Sequence, residues 1–280
     1  MSEYKIKPWE ELTIQDDYMF KLVMRNKKLC RQMLERILRL KIKFIKFLEE
    51  EKTIKSGYFS KGVRLDVYLA DENGTVISVE LQVRRLSGDI LYKRMRYYQS
   101  MIDADLLAAG VDYDELNQTY IIFICPFPVL GGERHMYTFR HTCEEDKSII
   151  LPDGATKIIL STKGKLNDIP ADLQTFLDYV DGKMSNDSFV QEIDDTINEL
   201  KKIEAERMVY MTFAMKLRDE YKVGREEGRE EGREQGRKDG ENKLGQLIAR
   251  LLADGKTNEA SYAASNEKRR HELYLQYGIN

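Results

Sequence analysis

Cysteine is scarce in this chain. Three of 280 residues, Cys30, Cys125 and Cys143, lie far apart and form no CxxC pair. Neither a disulfide framework nor a thiolate zinc site is expected, and the three thiols read as reduced. Histidine is equally thin: His135, His141 and His271 show no metal-ligand spacing, and no local signature supports a Ser/His/Asp arrangement. No apolar run approaches the roughly 20 residues that a membrane-spanning helix needs. The opening Met-Ser-Glu-Tyr-Lys has no signal-peptide pattern, so a cytoplasmic protein without a membrane role is expected. The net charge is only -3, which by itself argues against strong nonspecific nucleic-acid binding. A 42% hydrophobic content suffices for one substantial core and an appendage.

The distribution of charge says more than its sum. From Lys21 to Lys46 there are ten Lys or Arg against one acid, Glu35, and from Arg84 to Arg96 five against Asp89 alone. Both segments suit a phosphate backbone, and both equally suit the solvated faces of amphipathic helices.

Between them lies a β-hairpin pattern. Val63 to Leu69 places apolar residues at odd positions and Arg64, Asp66 and Tyr68 on the other face; Ile77 to Val83 does the same with Ser78, Glu80 and Gln82. Asp71-Glu72-Asn73-Gly74 supplies the positive φ of a turn. Both polar faces must share one side of the sheet. A two-residue loop would oppose them, whereas a three-residue loop sets Asp71 opposite Thr75 and so Asp66 opposite Glu80. Cβ atoms of directly opposite residues are about 5 Å apart. Two carboxylates that close repel unless a proton or cation intervenes, and a hard divalent ion would fit. Such an ion activates water and steadies a phosphate under attack. A solvated strand face carrying two ordinary acids is the competing explanation.

The segment Gly62-Val63-Arg64-Leu65-Asp66-Val67 followed by Val79-Glu80-Leu81-Gln82 resembles the core of the PD-(D/E)XK nucleases, specifically the Rpn family of recombination-promoting nucleases and transposase-like proteins. Asp17-Tyr18-Met19-Phe20-Lys21 looks like that family's N-terminal element, and Tyr120 to Cys125 and Tyr137-Thr138-Phe139 like its later strands. The likeness extends over about residues 12 to 182. It implies a Mg²⁺-dependent (or Mn²⁺-dependent) DNA endonuclease with Asp66, Glu80 and Gln82 as catalytic residues. Asp66 and Glu80 would hold the metal, with the Leu81 carbonyl completing its shell and Asp17 as a further candidate ligand. Asp17 also reads as an acid that steadies a helix N-terminus. Gln82 departs from the superfamily's usual lysine and offers only neutral hydrogen bonds. A substitute cation is sought in Lys93. Arg64, Arg84, Arg85 and Lys93 are the candidate DNA contacts.

The implied fold is α/β: a restriction-endonuclease-like α-β-β-β-α-β core, a mixed sheet flanked by helices, with a helical C-terminal extension. Residues 1–184 form the nuclease-like domain and 185–280 the extension. Thr13-Ile14-Gln15-Asp16 starts a helix to about Leu40. A strand follows from Lys41 to Leu48, then the hairpin, then a helix from Gly88 to about Ala109 whose Tyr92, Met95, Tyr97, Tyr98 and Met101 read as packing. Tyr120 to Cys125 is an apolar run suited to a strand buried on both faces. Strands near Met136 to Arg140 and Lys157 to Ser161, and a helix at Ala171 to Val180, complete the domain.

Asn186 to Lys222 reads as long charged helix. Glycine then recurs at 224, 228, 232, 236 and 240 in a Gly-Arg-Glu-Glu repeat. Each costs a helix about 1 kcal/mol relative to Ala. The stripe either lets two copies approach closely, giving a homo-oligomer, or marks a solvated linker. Leu244, Leu247, Ile248, Leu251 and Leu252 make an amphipathic helix, and a last helix runs from about Thr257 to Tyr277. Beside the endonuclease reading linked to recombination or mobile elements stand two others. One is a nuclease fold that binds DNA or a partner without cutting. The other is a growth-inhibiting defence nuclease restrained by its own C-terminal region, for which Met208, Met211 and Met215 offer internal starts.

Overall fold

The first helix breaks where Asn26 interrupts it. The computed structural model describes residues 6–47, 53–54, 63–107, 112–131 and 133–279. In it, α1 (Asp17–Met24) and α2 (Lys27–Leu38) replace the single expected helix. Asn26 caps α2, its side chain accepting from the Lys28 and Leu29 N–H groups; a side chain that competes for backbone donors restarts a helix rather than continuing one. Thr13 and Asp16 do pair, through the Thr13 N–H at 2.8 Å, but in the turn before α1, whose N-cap is Asp16.

The main sheet has six strands in the order β1 (Ile45–Phe47), β4 (Val67–Asp71), β5 (Val76–Leu81), β6 (Thr119–Cys125), β8 (Ala155–Ser161) and β7 (Met136–Phe139). β5, β6 and β8 are mutually parallel neighbours, while β1, β4 and β7 pair antiparallel. A separate short ladder joins β2 (Thr53–Ile54) to β3 (Val63–Arg64). The strand expected from Val63 to Leu69 is therefore two strands, bent at Leu65 and Asp66.

The hairpin has the three-residue loop. Asp71 N–H donates to Thr75 O, Gly74 adopts φ 80°, and Val67 pairs with Val79. Glycine suits that backbone because other residues are strained there.

Helix α3 (Ile90–Leu106) connects β5 to β6 and covers one sheet face. Leu91, Met95, Tyr98, Met101 and Ile102 pack there with Tyr68, Ile121, Phe123 and Ile159. The opposite face is buried too: Val67, Leu69, Val79, Ile122, Ile124, Ile158 and Leu160 are all inaccessible. The polar strand face is thus a core face, not a solvated one. β6 is buried at every residue, as its unbroken apolar run requires.

The helices α4 (Ala171–Val180) and α5 (Ser188–Lys201) pack with each other and with α2, and α5 also with α1. The first compact unit runs Lys7–Tyr210, so α5 belongs to it and the unit extends beyond residue 184. Trp9 helps to close it: its indole N–H donates to Lys201 O at 3.0 Å, and its ring packs on Tyr18 and Tyr210.

The second unit is mainly the chain from Met211 onward. Helix α6 (Glu204–Ala253) starts in the first unit and runs unbroken through the glycine repeat. A Cβ added at Gly224, Gly228, Gly232, Gly236 or Gly240 meets nothing within 4 Å. Glu226 and Arg229 pair at 3.0 Å. The expected last helix is instead α7 (Thr257–Ser265) and α8 (Glu267–Tyr277), divided at Asn266, which caps α8 through the Arg269 N–H. Leu247, Leu251, Ala260, Ala263, Leu273 and Ile279 form its small core. No helix of the described residues is long and apolar enough to cross a membrane.

Candidate active site

Asp66 and Glu80 face each other across the hairpin, and each is held by the other's strand. The Asp66 N–H donates to Glu80 Oε1 at 2.9 Å, and the Leu81 N–H donates to Asp66 Oδ2 at 3.1 Å. The bend at Asp66 makes this exchange feasible, because it lifts that residue out of the ladder. Both side chains are nearly inaccessible, 10% exposed for Asp66 and 4% for Glu80.

Two cations reach the pair from two different helices. Lys21 of α1 places Nζ 3.0 Å from Asp66 Oδ1 and 4.0 Å from Asp17 Oδ2. Arg94 of α3 places Nη2 3.4 Å from Glu80 Oε2 and donates from Nη1 to Gln82 Oε1 at 2.6 Å. Its Nε and Nη2 donate to the Tyr98 hydroxyl at 3.0 and 2.6 Å, and its guanidinium lies over the Tyr98 and Phe123 rings. The Gln82 amide donates in turn to Arg84 O at 2.5 Å.

Burial pushes the Asp66 carboxyl above its ordinary pKa, and Lys21 offsets only part of that. Glu80 is raised well above the usual range, first by burial and then by the Asp66 charge, against the opposing pull of the Asp66 N–H, Arg94 and Lys21. Burial also raises the Tyr98 phenol, so it stays protonated. Even with two cations present, both acids are biased towards the neutral form. Burial is the first cause in each, since Lys21 and Arg94 already balance the two acids in formal charge.

A divalent cation would oppose that bias, and two hard oxygen donors suit Mg²⁺ or Mn²⁺. Among the described residues no group of three or more His, Cys, Asp or Glu is arranged to hold a metal. Water would occupy the remaining positions, as Mg²⁺ commonly keeps several. Asp17 stands at the first turn of α1, 55% exposed, with Oδ1 on the Tyr18 N–H; its neighbour across the turn is Lys21.

Lys93 is exposed, and the α3 cation at Glu80 is Arg94. Helical phase carries the signal for this. At about 100° per residue, Lys93 points almost opposite the Leu91, Met95, Tyr98 and Ile102 stripe, whereas Arg94 borders it. Lys21 belongs both to the Asp17–Lys21 element and to the first basic segment; its partnership with Asp66 joins α1 to a strand turn 45 positions later, and no local pattern encodes that.

Arg84 and Arg85 are exposed in the loop after β5. The side chain of Arg64 lies outside the described residues. A cleft lined by Arg85, Leu91, Tyr92, Phe127 and Leu130 opens beside that loop. Several cations of the first basic segment are engaged within the protein: Arg36 with Asp187, Arg39 with Asp172 and Lys28 with Glu192. Burial raises Cys30 and Cys125 to about 12 and leaves them inert, and His135 is turned to the Ser161 carbonyl.

A mixed sheet with an Asp at the bend leading into one strand and a Glu-x-Gln at the end of its neighbour, under a crossover helix, defines a PD-(D/E)XK nuclease-type fold. The family model described as PD-(D/E)XK nuclease family transposase matches residues 14–172, more than half of the chain, and the protein belongs to that family. No curated protein and no solved structure matches the chain.

Proposed function

We propose that this protein is a Mg²⁺- or Mn²⁺-dependent endonuclease that hydrolyses DNA phosphodiester bonds, acting in recombination or on mobile elements. The observation that carries the reading is the opposed, buried Asp66 and Glu80, both raised in pKa although Lys21 and Arg94 adjoin them. Buried like charges are costly, and a site that keeps them needs a cation to justify the cost.

A metal held by Asp66 and Glu80, with the Leu81 carbonyl as a further donor, would acidify a water and offset charge on the phosphate. The chain's own groups do the rest. The Asp66 and Leu81 N–H groups fix one oxygen of each carboxylate, so the two acids cannot rotate apart. Lys21 holds the other Asp66 oxygen. Exposed Arg84, Arg85 and Lys93 engage phosphates on either side of the cut, contacts that position rather than specify. Water's oxygen bonds to phosphorus, one P–O ester bond breaks, and a water proton ends on the departing oxygen, leaving an alcohol and a phosphomonoester.

One observation favours a second reading, DNA binding without cleavage: the Gln82 amide is engaged at both ends, by Arg94 and by the Arg84 carbonyl, and has little left for a water. A mobility-shift assay separates the two. Complexes formed in EDTA should give cut DNA when excess Mg²⁺ or Mn²⁺ is added; a complex that persists with intact DNA refutes the nuclease reading and leaves binding alone. The open glycine face of α6 supports self-association through the C-terminal region. A chain truncated after Lys222 should then sediment at a smaller multiple of its mass, and an unchanged multiple removes the idea.

A further inference from the structure

We infer that Arg94 supplies the positive charge directed at the scissile phosphate, and that Gln82 and Tyr98 are the residues that position it. The inference rests on the hydrolase reading above. Gln82 is neutral, and its oxygen accepts from Arg94 while its amide nitrogen donates to a backbone carbonyl; it acts on a substrate only through its neighbour. Arg94 is differently placed. Its Nε, Nη1 and Nη2 are fixed by Tyr98, Gln82 and Glu80, and its plane rests against two rings. A guanidinium has five N–H bonds, so these contacts leave one Nη1 hydrogen for a phosphate oxygen.

Exposure distinguishes the two cations of the site. The Lys21 side chain is 12% exposed and committed to Asp66, whereas Arg94 is 35% exposed with Glu80 beneath it. Arg94 therefore presents a fixed, solvent-facing edge next to the carboxylates. A preoriented donor of that kind acts on charge that develops during reaction at no cost in reorganisation. Because Gln82 Oε1 is 2.6 Å from Arg94 Nη1, a lysine at position 82 would bring its ammonium into the space that the guanidinium fills.

The test is plasmid cleavage with Mg²⁺ by the full-length chain and by Arg94→Met, Arg94→Lys and the double variant Gln82→Lys/Arg94→Met, each checked by thermal melting. Arg94→Met should lower kcat about 100-fold, the scale of losing one transition-state donor, with KM for DNA altered less than about threefold because most phosphate contacts lie elsewhere. The double variant should regain at least tenfold (about 1.4 kcal/mol) over Arg94→Met. Recovery by a lysine at position 82, after β5, in place of a cation on α3 is not expected of a residue that merely supports the fold.

A wild type that leaves DNA intact overturns the hydrolase reading and this inference together. A wild type that cuts beside an Arg94→Met variant within threefold of it overturns Arg94 alone, as does a folded Arg94→Met that the added lysine fails to rescue. Should Arg94→Met not fold, Arg94→Lys decides: activity within tenfold of wild type supports the charge role, and a larger loss in a folded protein ends it.

Discussion

Adding Mg²⁺ or Mn²⁺ to metal-free protein should raise its melting temperature, and Asp66→Asn should abolish the rise. The magnitude follows from the opposed acids. Two unit charges about 5 Å apart repel by roughly 3 kcal/mol at an effective dielectric of about 20. Lys21 and Arg94 pull against this, while burial, the first cause in both, keeps the two carboxyls raised. An ion present at about a hundred times its Kd stabilises the folded state by about 2.7 kcal/mol. For a unit the size of Lys7–Tyr210, that corresponds to roughly 5–11 °C. The assay is a melting curve in chelator-treated buffer, titrated with each ion and with Ca²⁺. Asp66→Asn keeps the acceptor for the Leu81 N–H but removes a ligand charge. A wild type that melts unchanged across the titration, or an Asp66→Asn protein that shifts as much as wild type, would show that the cation does not bind between these acids.

Phe123 lies fully buried beneath Tyr98 and Arg94, so Phe123→Ala should cost about 3–5 kcal/mol in urea denaturation; a cost below 1 kcal/mol would deny it that core position. Although burial works the other way, Lys163 at 2.6 Å and the Thr162 hydroxyl at 2.9 Å hold the Asp181 carboxyl below its ordinary pKa. A depressed folded pKa stabilises above the unfolded value of about 4 and is lost as pH falls through the folded one. Asp181→Asn should therefore lower stability by about 1 kcal/mol at neutral pH and converge with wild type in acid; a constant gap across pH would contradict this. In α6, Gly228→Ala and Gly232→Ala should increase helicity by circular dichroism, each favouring helix by about 1 kcal/mol, because an added Cβ meets nothing in the chain. The gain is that of the dissociated chain, read at dilutions where it sediments as a single copy; lost helicity there would contradict the open face.

The hairpin was legible because its constraints are local. Gly74 admits the turn, alternation requires both polar faces on one side, and the register follows as Val67 on Val79. β6 was legible for the same reason, since an unbroken apolar run has few other homes. Helical segments were legible but not their breaks or full extent: Asn26 and Asn266 read as ordinary helical residues until their side chains are seen capping the next helix, and the helix expected over Asn186 to Lys222 is instead α5, ending at Lys201, and α6, which runs on to Ala253. The bend at Asp66 was hidden because alternation runs straight through it, and only the β2–β3 ladder shows that the strand divides. Site chemistry was half legible. The acids declared themselves, but their cations come from helices distant in sequence, and choosing Arg94 over Lys93 needs the phase of α3 against the sheet.

The central claim, that Asp66 and Glu80 form a metal-dependent cutting centre, is tested most directly by incubating supercoiled plasmid with wild type, Asp66→Ala and Glu80→Ala in Mg²⁺, in Mn²⁺ and in EDTA. Wild type should nick and linearise the plasmid only with a divalent ion, and both variants should leave it supercoiled. Cleavage in EDTA, or cutting by either variant at the wild-type rate, would contradict the account.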